Sequence, residues 1–128
     1  MVLARPAVTV RTYAYTELIA WQRSMELAAA VYAASHSMPP DERYGLTAQM
    51  RRAAVSISAN IAEGQGRRTC GEFLNSLSVA YGSVGELETH LMLAERLQFM
   101  EAKVVRGILE RTAEVGRLIN GLANSLKS

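Results

Sequence analysis

The chain has 128 residues, 49% of them hydrophobic, which suits one domain with a sizeable core. Its formal net charge of +2 is too small to mark a dedicated nucleic-acid binder, and the single Cys70 excludes an internal disulfide. It contains no run of about 18 apolar residues to span a membrane, and its N-terminus lacks the apolar core of a signal peptide, so a cytoplasmic protein is expected.

Residues 1–15 have no helical period and are expected to form a short N-terminal arm ahead of one domain over 16–128. The first helix should start near Thr16 or Glu17. Leu18, Trp21, Met25, Ala28 and Tyr32 recur at steps of three and four and predict its apolar stripe. It should end before Met38-Pro39-Pro40, because a residue ahead of proline avoids the α region.

After a turn at Asp41–Gly45, a second helix is expected from about Leu46 or Thr47 to Glu63, ended by Gly64 and Gly66. Its residues are unusually small. At 100° per residue, Met50, Ala53, Ala54, Ile57 and Ile61 share one face. Val55, Ala59 and Ala62 form a second apolar face. Arg52, Ser56 and Glu63 make a narrow polar stripe between them, with Asn60 at its edge. A helix at the rim of a small monomer needs one apolar face, so two imply packing on several sides, including against another subunit.

Thr69-Cys70-Gly71-Glu72 matches a capping box and opens the third helix. Phe73, Leu77, Ala80, Val84, Leu87, Leu91 and Ala94 follow at alternating steps of four and three, the period of a bundle seam. A break at Leu97–Met100 precedes a fourth helix with the stripe Val104, Ile108, Val115, Leu118, Leu122 and Leu126. Short connections favour antiparallel neighbours. The expected fold is all-α, an antiparallel up-down-up-down four-helix bundle.

Glu88 lies near the seam of the third helix, and a buried charge needs a partner. Glu88 or Glu63 is therefore expected to pair with Arg52, with Asn60 satisfying backbone groups nearby. Arg52, Ser56, Asn60, Glu63 and Glu88 thus form a candidate network for helix register or subunit contact. Arg43, Arg51, Arg67 and Arg68 are candidate phosphate contacts, since arginine pairs well with phosphate. The alternative for these arginines is a solvated helix end.

No catalytic, cofactor or metal site is expected. Neither His36 nor His90 stands in a Glu-x-x-His motif, and Glu86 with His90 offers too few ligands. Cys70 lacks an evident base. Gly64-Gln65-Gly66 follows a helix, not the strand a dinucleotide loop requires. Trp21, Tyr32 and Tyr81 read as core or interface residues.

Several motifs resemble those of the four helix bundle protein family, founded on the 23S rRNA intervening-sequence proteins. They are Trp21-Gln22, Met25-Glu26-Leu27, Pro40–Thr47, Gln49–Ile57, Asn60–Gly64, Gly66-Arg67-Arg68, Glu72-Phe73-Leu74 and Gly82-Ser83…Glu86–Thr89. They cover roughly residues 16–100 in order. Ser58, where relatives often carry proline, and the less basic Cys70-Gly71 depart from the pattern.

The resemblance implies a homopentamer. It also implies kinship with the accessory variability protein of diversity-generating retroelements, a pentameric barrel that binds RNA and reverse transcriptase. Most members have no assigned function, and the family is not known for catalysis. The expected role is a non-enzymatic scaffold or binding protein, contacting RNA or a nucleic-acid-associated protein through basic patches, with no membrane or small-molecule partner. The alternative is a purely structural or vestigial oligomer carried by a mobile element, with no nucleic-acid binding.

Overall fold

The computed structural model describes residues 14–127. Of the expected arm, residues 1–13 lie outside the described residues, while Ala14 and Tyr15 begin a 3-10 turn over Ala14–Glu17. Four α-helices follow: α1 (Ile19–Ser35), α2 (Leu46–Gln65), α3 (Cys70–Arg96) and α4 (Ala102–Lys127). A second 3-10 turn, Pro40–Glu42, separates α1 from α2. Each helix packs on two neighbours, α1 and α3 both touching α2 and α4, so the section is a square with no diagonal contact among the described residues.

The pairing is antiparallel throughout. Ser56 meets Ser83 while Gly64, further along α2, meets Ser76, further back on α3. Gly116 of α4 faces Tyr81 and Val84, and Cys70 at the start of α3 reaches the carbonyl of Leu126 near the end of α4. On the remaining side Arg23 reaches Glu114, while Ile19 lies beside Leu118 and Leu122.

Helix boundaries follow local chemistry. The Glu42 carboxylate accepts from the Leu46 amide at 2.9 Å and so caps α2 from the preceding turn. Thr69 Oγ1 accepts from the Glu72 amide at 3.1 Å, the first half of the expected capping box. α3 ends with Gln98 at φ 64°, where the Phe99 amide donates to Ala94 O and the Gln98 amide to Glu95 O. This is a Schellman closure built on glutamine where glycine is usual.

The core is apolar: Leu27, Val31, Met50, Ile57, Ile61, Leu77, Leu87, Leu91, Val105, Val115 and Ile119 are all buried. The α3 seam is as expected, with only Phe73 half-buried. The five residues of the first α2 face are buried as well. In α4, Ile108 and Val115 are buried and Leu118, Leu122 and Leu126 half-buried, but Val105 takes the place expected for Val104.

Two further expectations are corrected. The buried face of α1 is Ala20, Ser24, Leu27, Val31 and Ser35, one residue back from the predicted stripe, a rotation of about 100°. α1 is apolar around most of its circumference, so its period alone does not choose a face. Gly64 does not end α2 but sits buried inside it. A Cβ there would stand 2.8 Å from both Phe73 Cδ1 and Ser76 Cβ, so glycine permits the close approach of α3.

Candidate interaction surface

The polar stripe of α2 turns inward at its centre and meets α3. Ser56 Oγ and Ser83 Oγ lie 2.9 Å apart. Asn60 Nδ2 donates to Ser56 O at 2.8 Å and to Ser56 Oγ at 3.1 Å. Small side chains line both helices here: Ser56, Asn60 and Gly64 on α2 against Ser76, Ala80 and Ser83 on α3. The ladder is closed within the protomer, because Ser83 supplies the partner that Ser56 needs. Ser76 and Ser83 are the residues sequence reasoning missed. Their signal is a pair of serines seven apart, beside the apolar seam of the helix.

The charged ends of the stripe behave differently. Arg52 is exposed and donates to Gln49 Oε1 at 3.2 Å. Glu63 pairs with Arg67 at 2.6 Å, one turn away and exposed. Glu88 lines a cleft on the far side of α3 with Tyr81, Arg117 and Asn120. The expected Arg52 pairing with Glu63 or Glu88 therefore does not form inside one protomer. Arg52 and Glu63 are three helical turns apart, about 16 Å along the axis, and Glu88 faces α4.

Arg51 is bound to the end of α1. Its Nε donates to Ser35 Oγ at 2.8 Å, and its Nη2 lies 3.4 Å from Tyr32 O and from His36 Nδ1. The guanidinium stands 4.6 Å from the Tyr32 ring centroid. A cation at a helix C-terminus complements the exposed carbonyls, and the planar fork also stacks on the ring. Arg43 lies 5.8 Å from the Tyr44 ring centroid at the exposed turn, and Arg68 is exposed at the α2–α3 corner.

The side of the bundle next to Arg51 is open and apolar. Met25 and Tyr32 of α1 are 45% and 43% exposed, and Val55 of α2 is 45% exposed. Ala59 is exposed beside them, with Trp21, Ala28 and Ala62 half-buried. The Arg51–Ser35 contact sets the antiparallel register, so one turn along α2 from Arg51 brings Val55 opposite the Ala28–Tyr32 turn of α1. The predicted α1 stripe and the second α2 face thus meet along one outer groove. A second apolar surface lies at the other end of α3, where Met92, Leu93 and Leu97 are 54%, 42% and 48% exposed.

A cavity of about 600 Å³ opens at the α3–α4 turn among Ser37, Glu95, Gln98, Phe99 and Glu101. It takes in neither the serine ladder nor any arginine. Among the described residues no three His, Cys, Asp or Glu side chains cluster as metal ligands would. No described helix is long and apolar enough to cross a membrane.

The model of the 23S rRNA-intervening sequence protein family matches residues 16–121. No curated protein matches the chain. A crystal structure of a protein of unknown function from the S23 ribosomal protein family of Bacteroides thetaiotaomicron is similar, with a TM-score of 0.74 at 21% identity. The match covers 82% of this chain and 98% of that one, and at this identity it speaks for the fold.

Proposed function

From a chain that belongs to the 23S rRNA-intervening sequence protein family, we propose a non-enzymatic cytoplasmic scaffold that assembles into a closed homo-oligomer, five-membered by resemblance. The observation that carries this reading is the open apolar groove of Met25, Tyr32, Val55 and Ala59, which the packing of the described residues leaves exposed. A ring requires a heterologous interface, in which one patch meets a different one. The groove and the Met92–Leu93–Leu97 surface are two such patches on separate parts of the bundle. Arg52 is exposed, donates to Gln49 and makes no ion pair among the described residues; it borders the groove and is available to a carboxylate of the next subunit.

The test is mass in solution by light scattering. Wild-type protein is expected as a multimer, and Val55→Asp and Met92→Asp are each expected as monomers. Mixed, the two variants retain one intact interface and should give a dimer. A monomeric wild type would sink the assembly reading. A mixture that stays monomeric would refute the pairing of these two patches. The alternative, an oligomer without nucleic-acid binding, differs only in its response to a polyanion.

A further inference from the structure

The charges of the bundle are segregated by helix. α4 carries Lys103, Arg106, Arg111, Arg117 and Lys127 against Glu110 and Glu114, an excess of three positive charges. α3 carries Glu72, Glu86, Glu88 and Glu95 against Arg96, an excess of three negative charges. Elsewhere Arg23 pairs with Glu26 and Glu114 and Arg67 with Glu63, Arg51 binds the α1 terminus, and Arg43, Arg52, Arg68 and Arg96 make no ion pair among the described residues. Among the described residues, none of the five α4 cations makes an ion pair, whereas Glu114 is already shared with Arg23. Among the described helices α4 thus carries the largest excess of positive charge, larger than that of the α2–α3 corner, where Arg67 is paired with Glu63 and Arg68 stands beside it.

The α4 cations are also arranged. At 100° per residue, Lys103, Arg106 and Arg117 share the strip opposite the buried Ile108, Val115 and Ile119. Arg106 and Arg117 are separated by about 16 Å along the axis, the rise of roughly five phosphates on one duplex strand. Between and beyond them Gly107 and Gly121 present bare backbone, with no atom within 4 Å of a built Cβ. The strip has no large apolar side chain to insert into a bilayer, which argues against a lipid surface. The opposing carboxylates are Glu110 on the strip, Glu114 at its edge, 3.8 Å from Arg23, and Glu88 beside Arg117 across the α3–α4 cleft.

We infer that the outward strip of α4, centred on Lys103, Arg106 and Arg117, seats the phosphate backbone of a nucleic-acid strand. Arginine forks match phosphate oxygens, and a row of cations reads no bases, so recognition is by charge and independent of sequence. The inference goes beyond the assembly reading and does not need it. One protomer offers three phosphate contacts, and an oligomer repeats the strip once per subunit.

Binding of a fluorescein-labelled 20-nucleotide single-stranded RNA, followed by anisotropy at 50 and 200 mM salt, tests this. Three phosphate contacts predict affinity about 20-fold weaker at the higher salt. Arg106→Gln with Arg117→Gln should weaken binding at least tenfold at 50 mM and flatten the salt dependence. Arg106→Lys with Arg117→Lys should retain both. Arg67→Gln with Arg68→Gln should bind within twofold of wild type. Solution mass is measured on every variant, so that loss of assembly is distinguished from loss of the strip. Absence of RNA binding at 50 mM, a glutamine variant that binds like wild type, or a larger loss from the corner variant would each overturn the inference. So would tighter binding to phosphatidylglycerol vesicles than to RNA.

Discussion

The α2–α3 seam and the α1–α2 groove are both lined by small residues of the same helix, yet they are finished in opposite ways. Across the seam, Ser56, Asn60 and Ser83 satisfy one another, and Gly64 lets Phe73 and Ser76 close over the backbone. Along the outer groove, Val55 and Ala59 face solvent beside Met25 and Tyr32, and Arg51 hydrogen-bonds the two helices together at one end. A closed seam contributes to the stability of the protomer itself. An open apolar groove contributes only when something covers it. Substitutions on the two sides of α2 should therefore report on different quantities, folding on one side and association on the other.

The largest effect is expected at Gly64. A valine there places its Cβ 2.8 Å from the Phe73 ring and the Ser76 Cβ, and neither helix can retreat without opening the seam. Gly64→Val should cost about 3 kcal/mol, the upper part of the usual range for overpacking, read as a lower urea midpoint at unchanged slope. Next comes the ladder. Ser56→Ala removes the partner of Ser83 Oγ and one of the two acceptors of Asn60, leaving part-buried polar groups unpaired. A loss of about 1–2 kcal/mol is expected. Ser56→Ala combined with Ser83→Ala should recover part of it, because the stranded hydroxyl is then gone. A double change as costly as the two single losses added together would mean that the serines are not coupled.

Arg51→Met should cost about 1 kcal/mol, since it releases the Ser35 hydroxyl, the Tyr32 carbonyl and the Tyr32 ring together. Lysine at this position keeps the charge but lacks the fork that reaches two groups at once, so Arg51→Lys should restore only part of the loss. Full recovery with lysine would reduce the clamp to a charge at a helix end. Either substitution leaves the exposed α4 cations untouched and should not alter polyanion binding.

How far each helix was legible depends on how unevenly its large residues are distributed. In α3 the seam residues keep a strict four-three spacing and most of their outward neighbours are Asn, Ser, Gly, Glu and Thr, so period and burial coincide despite the exposed Val79, Tyr81, Met92 and Leu93. In α1 alanines occupy every direction, and the bulky Trp21, Met25 and Tyr32 point to the outer groove while Leu27 and Val31 enter the core. A stripe drawn through the largest side chains there finds a surface and misses the core. The α2 serine was legible as part of a stripe, but its partner Ser83 belongs to another helix, and pairings between helices leave no period within either one. Gly64 reads as a terminator because glycine after a helical run usually is one. Only the packed Phe73 and Ser76 reveal that it serves contact instead. The α4 charge excess was countable from the sequence, but which arginines remain unpaired depends on tertiary neighbours.

The smallest effect on folding, and the sharpest separation of the two sides, is expected for Met25→Gln. Met25 is 45% exposed, and glutamine matches it in length and in helix propensity. Substitutions at such a surface usually change protomer stability by less than about 0.5 kcal/mol, well below the loss at Ser56. Association stabilises the folded state by mass action, so the wild-type melting temperature should rise with protein concentration while that of Met25→Gln rises less or not at all. At the lowest concentration the two should converge. If Met25→Gln instead lowers the melting temperature equally at every concentration, Met25 belongs to the core of its own protomer, and the division between a closed seam and an open groove fails on the α1 side.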